Sequence, residues 1–251
     1  MKWATSRPSA FTIIETVLFL GLTSLMILGI LITTGRSVDI QRYRDAVDSL
    51  QSKIQEQYSI TANPENYING QYSCNNAVIT MGGNGYKGQS NCVIIGRYLT
   101  VGDANSSSID IYPVIGNDVS FPTGTTDLNA LQNANLTVAT SQKETYSIEW
   151  SSSMKTQAKL PIAFSILIAR SPVSSNIMTF VSSSSNASLS SNNSTYFINS
   201  AGLSQPLIIC LDSGGVLSGN TMGVRVDANA ANSSAIEMIG DATSVANGGC
   251  T

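Results

Sequence analysis

A chain of 251 residues with 12% charged side chains, no histidine and a formal net charge of −3 lacks the Lys/Arg clusters that nucleic-acid binding requires. The missing histidine also excludes any Ser-His or Cys-His nucleophilic pair. The length holds one large domain or two small ones; with the first quarter assigned to a helix, we expect one globular head of about 190 residues, enough to bury a core.

The first ten residues, MKWATSRPSA, carry Lys2 and Arg7 and end on Ala10. From Ile13 to Ile32 the chain is apolar apart from Glu15, Thr16, Thr23 and Ser24. Twenty helical residues reach about 30 Å, the thickness of a bilayer's hydrocarbon core. A cleaved secretory signal is the alternative, with a shorter apolar run of about 7–15 residues and a small-x-small site after it. Gly29, Thr33 and Gly35 imitate such a site. Glu15 is the informative residue, because a carboxylate at the start of a spanning segment either snorkels to water or meets a specific partner.

The string Ala10, Phe11-Thr12-Ile13-Ile14-Glu15 and the apolar run that follows resemble the processing site of type IV prepilins. The resemblance covers residues 1–35. The family usually has Gly before the cut, where this chain has Ala10. The resemblance implies a leader over residues 1–10, removed by a prepilin peptidase that cuts before Phe11 and methylates the new amine. Loss of Lys2 and Arg7 takes the net charge from −3 to −5. Residues 11–35 are then the transmembrane part of a long helix, and residues 36–251 an extracellular head that includes the helix's second half. Glu15 becomes an assembly residue that meets the Phe11 amine of a neighbouring subunit, since an unpaired carboxylate in a low-dielectric filament core is costly. The implied partners are other pilin subunits, the prepilin peptidase, an inner-membrane assembly platform and, before assembly, membrane lipid. The implied locations are the plasma membrane and then a surface filament. A single-pass adhesin or binding module that never polymerises is the reading from a different class; a secreted enzyme is the third.

Beyond the apolar run, Ile40, Tyr43, Val47, Leu50, Ile54 and Tyr58 recur at three- and four-residue steps and predict an amphipathic continuation of the helix. Arg36, Asp39, Arg42, Arg44, Asp45, Asp48, Lys53 and Glu56 mostly fill its other faces. Asn63-Pro64 ends it, so the helix should run from about Thr12 to Ser59, roughly 70 Å. Gly21, Gly29 and Gly35 each cost about 1 kcal/mol relative to Ala, and close helix packing is their default explanation.

After Pro64 the pattern becomes extended. Short β-branched runs at Ala77–Met81, Val93–Val101, Ile109–Ile115, Tyr146–Trp150, Ile162–Ala169, Asn176–Val181, Leu207–Leu211 and Gly223–Asp227 predict strands. In the sixties of that list, Ile162, Phe164, Ile166 and Ile168 alternate with smaller residues except Leu167, as in a mostly buried strand. The expected fold is α+β and pilin-like, an antiparallel sheet lying on the helix stripe, with a low-complexity loop at Ser182–Thr195.

Cys74, Cys92, Cys210 and Cys250 form no CxxC pair and have no histidine to complete a zinc site, so no metal or cofactor is expected. An even count in an exported chain points to disulfides, with three connectivities open. Cys74–Cys92 with Cys210–Cys250 is favoured because each bridge closes a local loop, worth roughly 3–4 kcal/mol. Two strings match catalytic motifs by letter. Gly83-Asn84-Gly85-Tyr86-Lys87-Gly88 fits GxGxxG without a following helix and reads as a turn. Ser152-Ser153-Met154-Lys155 fits SxxK without the companion motifs, and the expectation is that the chain is not an enzyme.

Overall fold

Helix formation in the first sixty residues follows from two successive patterns, a run apolar on all sides and then one apolar stripe. In the computed structural model they make a single helix, α1, Ile13–Ala62. The structure describes residues 12–63, 72–75, 78–81, 92–117, 120–183, 198–199, 202–214, 222–240 and 249–250. The chain divides into two units, residues 1–42 and 43–251. All the buried residues of α1 belong to the second: Tyr43, Ala46, Val47, Leu50, Ile54, Gln57, Tyr58 and Thr61.

Within the second unit the expected sheet is two antiparallel sheets and a hairpin. The hairpin joins β1, Tyr72–Asn75, to β2, Val78–Met81. One sheet contains β3, Cys92–Val101, β4, Ser108–Asn117, β5, Thr137–Val138, β6, Glu144–Ser147, β8, Ser165–Arg170, and β9, Ile177–Ser182. Its path runs β5-β4-β3-β8-β9, with β6 also pairing β4. The other sheet has the order β12-β11-β10-β7, where β7 is Ser153–Lys155, β10 Leu207–Asp212, β11 Gly223–Val226 and β12 Ile236–Ile239. The predicted strand at Tyr146–Trp150 stops at Ser147. Ile148 and Met154 then donate their amides to Ser107 and Ser106 carbonyls, at 2.8 and 2.7 Å. Between those bonds the chain loops out through Glu149–Ser151, with Trp150 at φ 57° and Ser151 at φ 56°. The predicted strand from Ile162 begins three residues later, at Ser165.

Both larger sheets contribute to the core on the helix stripe. Leu99, Ile109, Ile111, Ile166, Ile168 and Val181 of the first sheet, and Leu207, Ile209, Leu211, Val224 and Val226 of the second, cluster with Tyr43, Val47, Leu50, Ile54 and Tyr58. The alternate residues of the first sheet face a second core. Tyr98, Val114, Leu167, Ala169 and Phe180 pack there with Leu131 and Leu136. Leu167, the exception in the alternation of its strand, is therefore large because its face is covered too. A bulge between Ile94 and Gly96 shifts the side-chain alternation by one, so that Ile95 and Tyr98, an odd number of residues apart, share this second core.

The cover of that second face includes α2, Asp127–Asn133, which buries Ala130 and Leu131. Thr126 caps it by accepting the Asn129 amide at 3.3 Å. Seven residues are too few for a helical period to stand out in sequence.

Candidate assembly segment

The start of α1 is built by the Thr-x-x-Glu spacing of Thr12 and Glu15. The Thr12 amide and hydroxyl both donate to Glu15 Oε2 at 3.0 Å, and the Glu15 amide points back to Thr12 Oγ1 at 3.4 Å. This is a capping box, in which each residue satisfies a backbone amide that the first helical turn leaves without a partner. The negative carboxylate also lies where the helix dipole favours it. The reading of Glu15 from sequence overlooked this role, although the four-residue string carries it.

Above the cap the segment has no internal cover. Every large apolar side chain from Ile13 to Ile32 is 57–84% exposed, and the helix is long and apolar enough to cross a membrane. Its threonine hydroxyls are satisfied inside the helix. Thr16 donates to the Ile13 carbonyl at 2.8 Å and Thr23 to that of Phe19 at 3.0 Å, while Thr33 and Thr34 donate to the carbonyls of Gly29 and Ile30. No threonine on this helix therefore carries an unmet hydrogen bond into an apolar surrounding. Gly21, Gly29 and Gly35 have open space where a Cβ would stand. Ala10 and Phe11 lie outside the described residues.

At the other end of the chain Cys210 and Cys250 form a disulfide with Cα atoms 5.6 Å apart. Cys210 sits on β10, between β11 and β7, and both cysteines are buried. The bridge ties the last described residue to the middle of the four-stranded sheet. Opposite Cys210 in the register is Gly223. A Cβ on Gly223 would lie 2.4 Å from the Ile209 carbonyl oxygen and 2.7 Å from Cys250 Sγ, so glycine is what lets the bridge close against β11. For Cys74 and Cys92 only the backbone is described, in β1 and β3; their proposed pairing lies outside the described residues.

The two catalytic look-alikes do not converge with this segment. Gly83–Gly88 lies outside the described residues. Ser152 and Lys155 are three apart on extended backbone, so their side chains leave opposite faces. Ser152 is buried, and SxxK chemistry needs the helical turn that would bring the pair together.

No protein-family model matches the chain, and no curated protein or solved structure does so either. What the geometry defines is a coarser class: an α+β protein whose long N-terminal helix has an uncovered apolar first half, long and apolar enough to cross a membrane, and an antiparallel β region that carries a disulfide.

Proposed function

We propose that this chain is a structural subunit of a type IV pilus or a related pseudopilus, cut before Phe11 and assembled by bundling of N-terminal helices. The observation that carries the reading is the continuity of α1. One unbroken helix begins with uncovered apolar turns and ends in turns sealed within a β core. In lipid the apolar turns are solvated; in a filament, like helices replace the lipid at little hydrophobic cost. Glu15 then pairs with the Phe11 amine of a neighbour, and the head is displayed outside the cell for attachment, twitching or DNA uptake. Other subunits, a prepilin peptidase and an inner-membrane assembly platform are the partners this requires.

One specific observation favours a second reading. Thr12 already satisfies the Glu15 carboxylate within its own chain, which suits a capped membrane anchor for an adhesin that never polymerises. The N-terminal residue of the mature protein separates the two. A methylated Phe11 is the outcome expected of a pilin, whereas an intact Met1 favours the anchor and a start beyond Thr34 favours secretion.

A further inference from the structure

The chain is sparing with charge everywhere except along one stretch of α1. Of 29 charged side chains (13 basic, 16 acidic), eight fall within residues 36–56. Elsewhere the surface uses Ser, Thr, Asn and Gly, so solubility alone does not call for ions on this helix. Some of them are used inside the chain. Arg42 lies 3.9 Å from Asp39, and Lys53 binds Glu56 at 2.8 Å and Glu144 at 2.6 Å. Arg44, Asp45 and Asp48 are not among these pairs. All three are exposed on the helix face opposite the buried stripe, and among the described residues none has an ion-pair partner. Arg44 and Asp48 are four apart but not within pairing distance, and cation-before-anion is the weaker order for such a pair.

We infer that Arg44, Asp45 and Asp48 form a self-complementary contact face for the α1 helix of a second copy of this chain, the Arg44 of one copy meeting the acidic pair of the next. The inference rests on the filament-subunit reading and names the surface that sets its register. The sign pattern selects the partner. Two carboxylates beside one guanidinium repel an anionic lipid surface and would not be satisfied by a basic one. In a parallel copy of the same helix displaced by about one turn, or 6 Å, the Arg44 of one chain comes level with the Asp48 of the other. Such pairs contribute more to specificity and register than to affinity, which suits a face that must align subunits already held together by apolar helices.

Complementation in trans tests this in the full-length chain. Arg44→Asp makes the face wholly acidic, and Asp48→Arg makes it mainly basic. Each variant expressed alone should reach wild-type membrane levels but fall at least tenfold in sheared filaments. Co-expressed, the two should return together in one filament fraction to within about threefold of wild type. Normal incorporation of either variant alone, or no mutual rescue, overturns the inference while leaving the filament reading intact. A wild-type chain that forms no filament under conditions where Phe11 is the mature N-terminus overturns both. Rescue of Asp48→Arg by anionic lipid instead of by the Arg44→Asp copy overturns the choice of partner.

Discussion

Tyr43 donates its phenol proton to the backbone carbonyl of Leu211, 168 residues away, at 2.7 Å. The Tyr43 phenol oxygen in turn accepts the Met222 amide at 2.7 Å, so one hydroxyl fastens α1 to the β10–β11 corner of the four-stranded sheet. Because Tyr43 is the first buried residue of the helix, this bond marks where α1 becomes part of the head.

Tyr43→Phe keeps the ring in its apolar pocket and removes only the hydroxyl. The Met222 amide then loses its partner, at a cost of about 1–3 kcal/mol. We expect a lowered denaturation midpoint with an unchanged denaturant slope, measured on a soluble head fragment. Faster amide exchange at Met222 should accompany it, and an unchanged midpoint would show that the bond contributes nothing net.

The Cys210–Cys250 bridge has a sequence separation of 40 residues, and the chain-entropy account assigns a loop of that size about 4 kcal/mol. Cys250→Ser should lower stability by an amount of that order. Gly223→Ala should also destabilise the bridged protein, because the added methyl meets both the Ile209 carbonyl and Cys250 Sγ. Part of that penalty should disappear when Gly223→Ala is combined with Cys250→Ala, which clears the sulfur. Additive losses in this double-mutant cycle would refute the contact.

Tyr58 supplies an alkaline signature. Its hydroxyl shares a 2.8 Å hydrogen bond with Thr179 Oγ1, which donates in turn to the Ala230 carbonyl at 2.8 Å. Tyr58 is therefore the donor of that pair. Burial, with the nearby Asp227 charge adding to it, pushes the phenol up to about 12. An acid whose folded pKa is raised keeps its proton while the unfolded chain releases one. Its contribution is full below pH 10 and is lost as pH rises towards 12, about 2–3 kcal/mol in all. Tyr58→Phe should flatten that part of the stability–pH curve, and phenolate absorbance from Tyr58 should appear only near pH 12.

Asp103 behaves in the opposite sense. Its carboxylate accepts the amides of Asn105, Ser107 and Ser108 and the hydroxyls of Ser107 and Ser108, at 2.8–3.2 Å. Partial desolvation opposes ionisation, but the bonds from Ser107 and Ser108 outweigh it and hold the group below the usual carboxylate range. Its contribution is present above the unfolded pKa and is lost as pH falls through the folded one. Asp103→Ala should cost about 1–2 kcal/mol at pH 7 and much less at pH 2, measured by denaturant titration at both.

Glu15→Gln separates charge from capping, since Gln can complete a capping box as Glu does. A carboxylate needed only as a cap predicts normal membrane and filament levels. A carboxylate that pairs with the Phe11 amine of a neighbour predicts normal membrane levels and at least a tenfold loss from sheared filaments, because that amine is left uncompensated. Parallel blots of the two fractions decide between them.

Much of this architecture was legible in the residues. The apolar run and the three- and four-residue stripe predicted a helix from about Thr12 to Ser59, against the observed Ile13–Ala62. Both periods repeat over many turns, and chance rarely sustains them. Seven of the eight expected strands overlap strands of similar extent, and the eighth, at Tyr146, was overtaken by a loop. The Cys210–Cys250 pairing was the one favoured from sequence because it closes a local loop, and the fold brings those two sulfurs together. What the tertiary structure decided was how the strands divide. The residues of β8 alternate between two buried faces, so the sequence showed a nearly continuous apolar strand without revealing that α2 covers its far side. The short elements β1, β5, β7, β12 and α2 were missed because two to seven residues cannot display a period. The mutual capping of Thr12 and Glu15 sits between these extremes: the spacing is local and readable, yet the geometry of the folded turn shows that both residues are satisfied by each other.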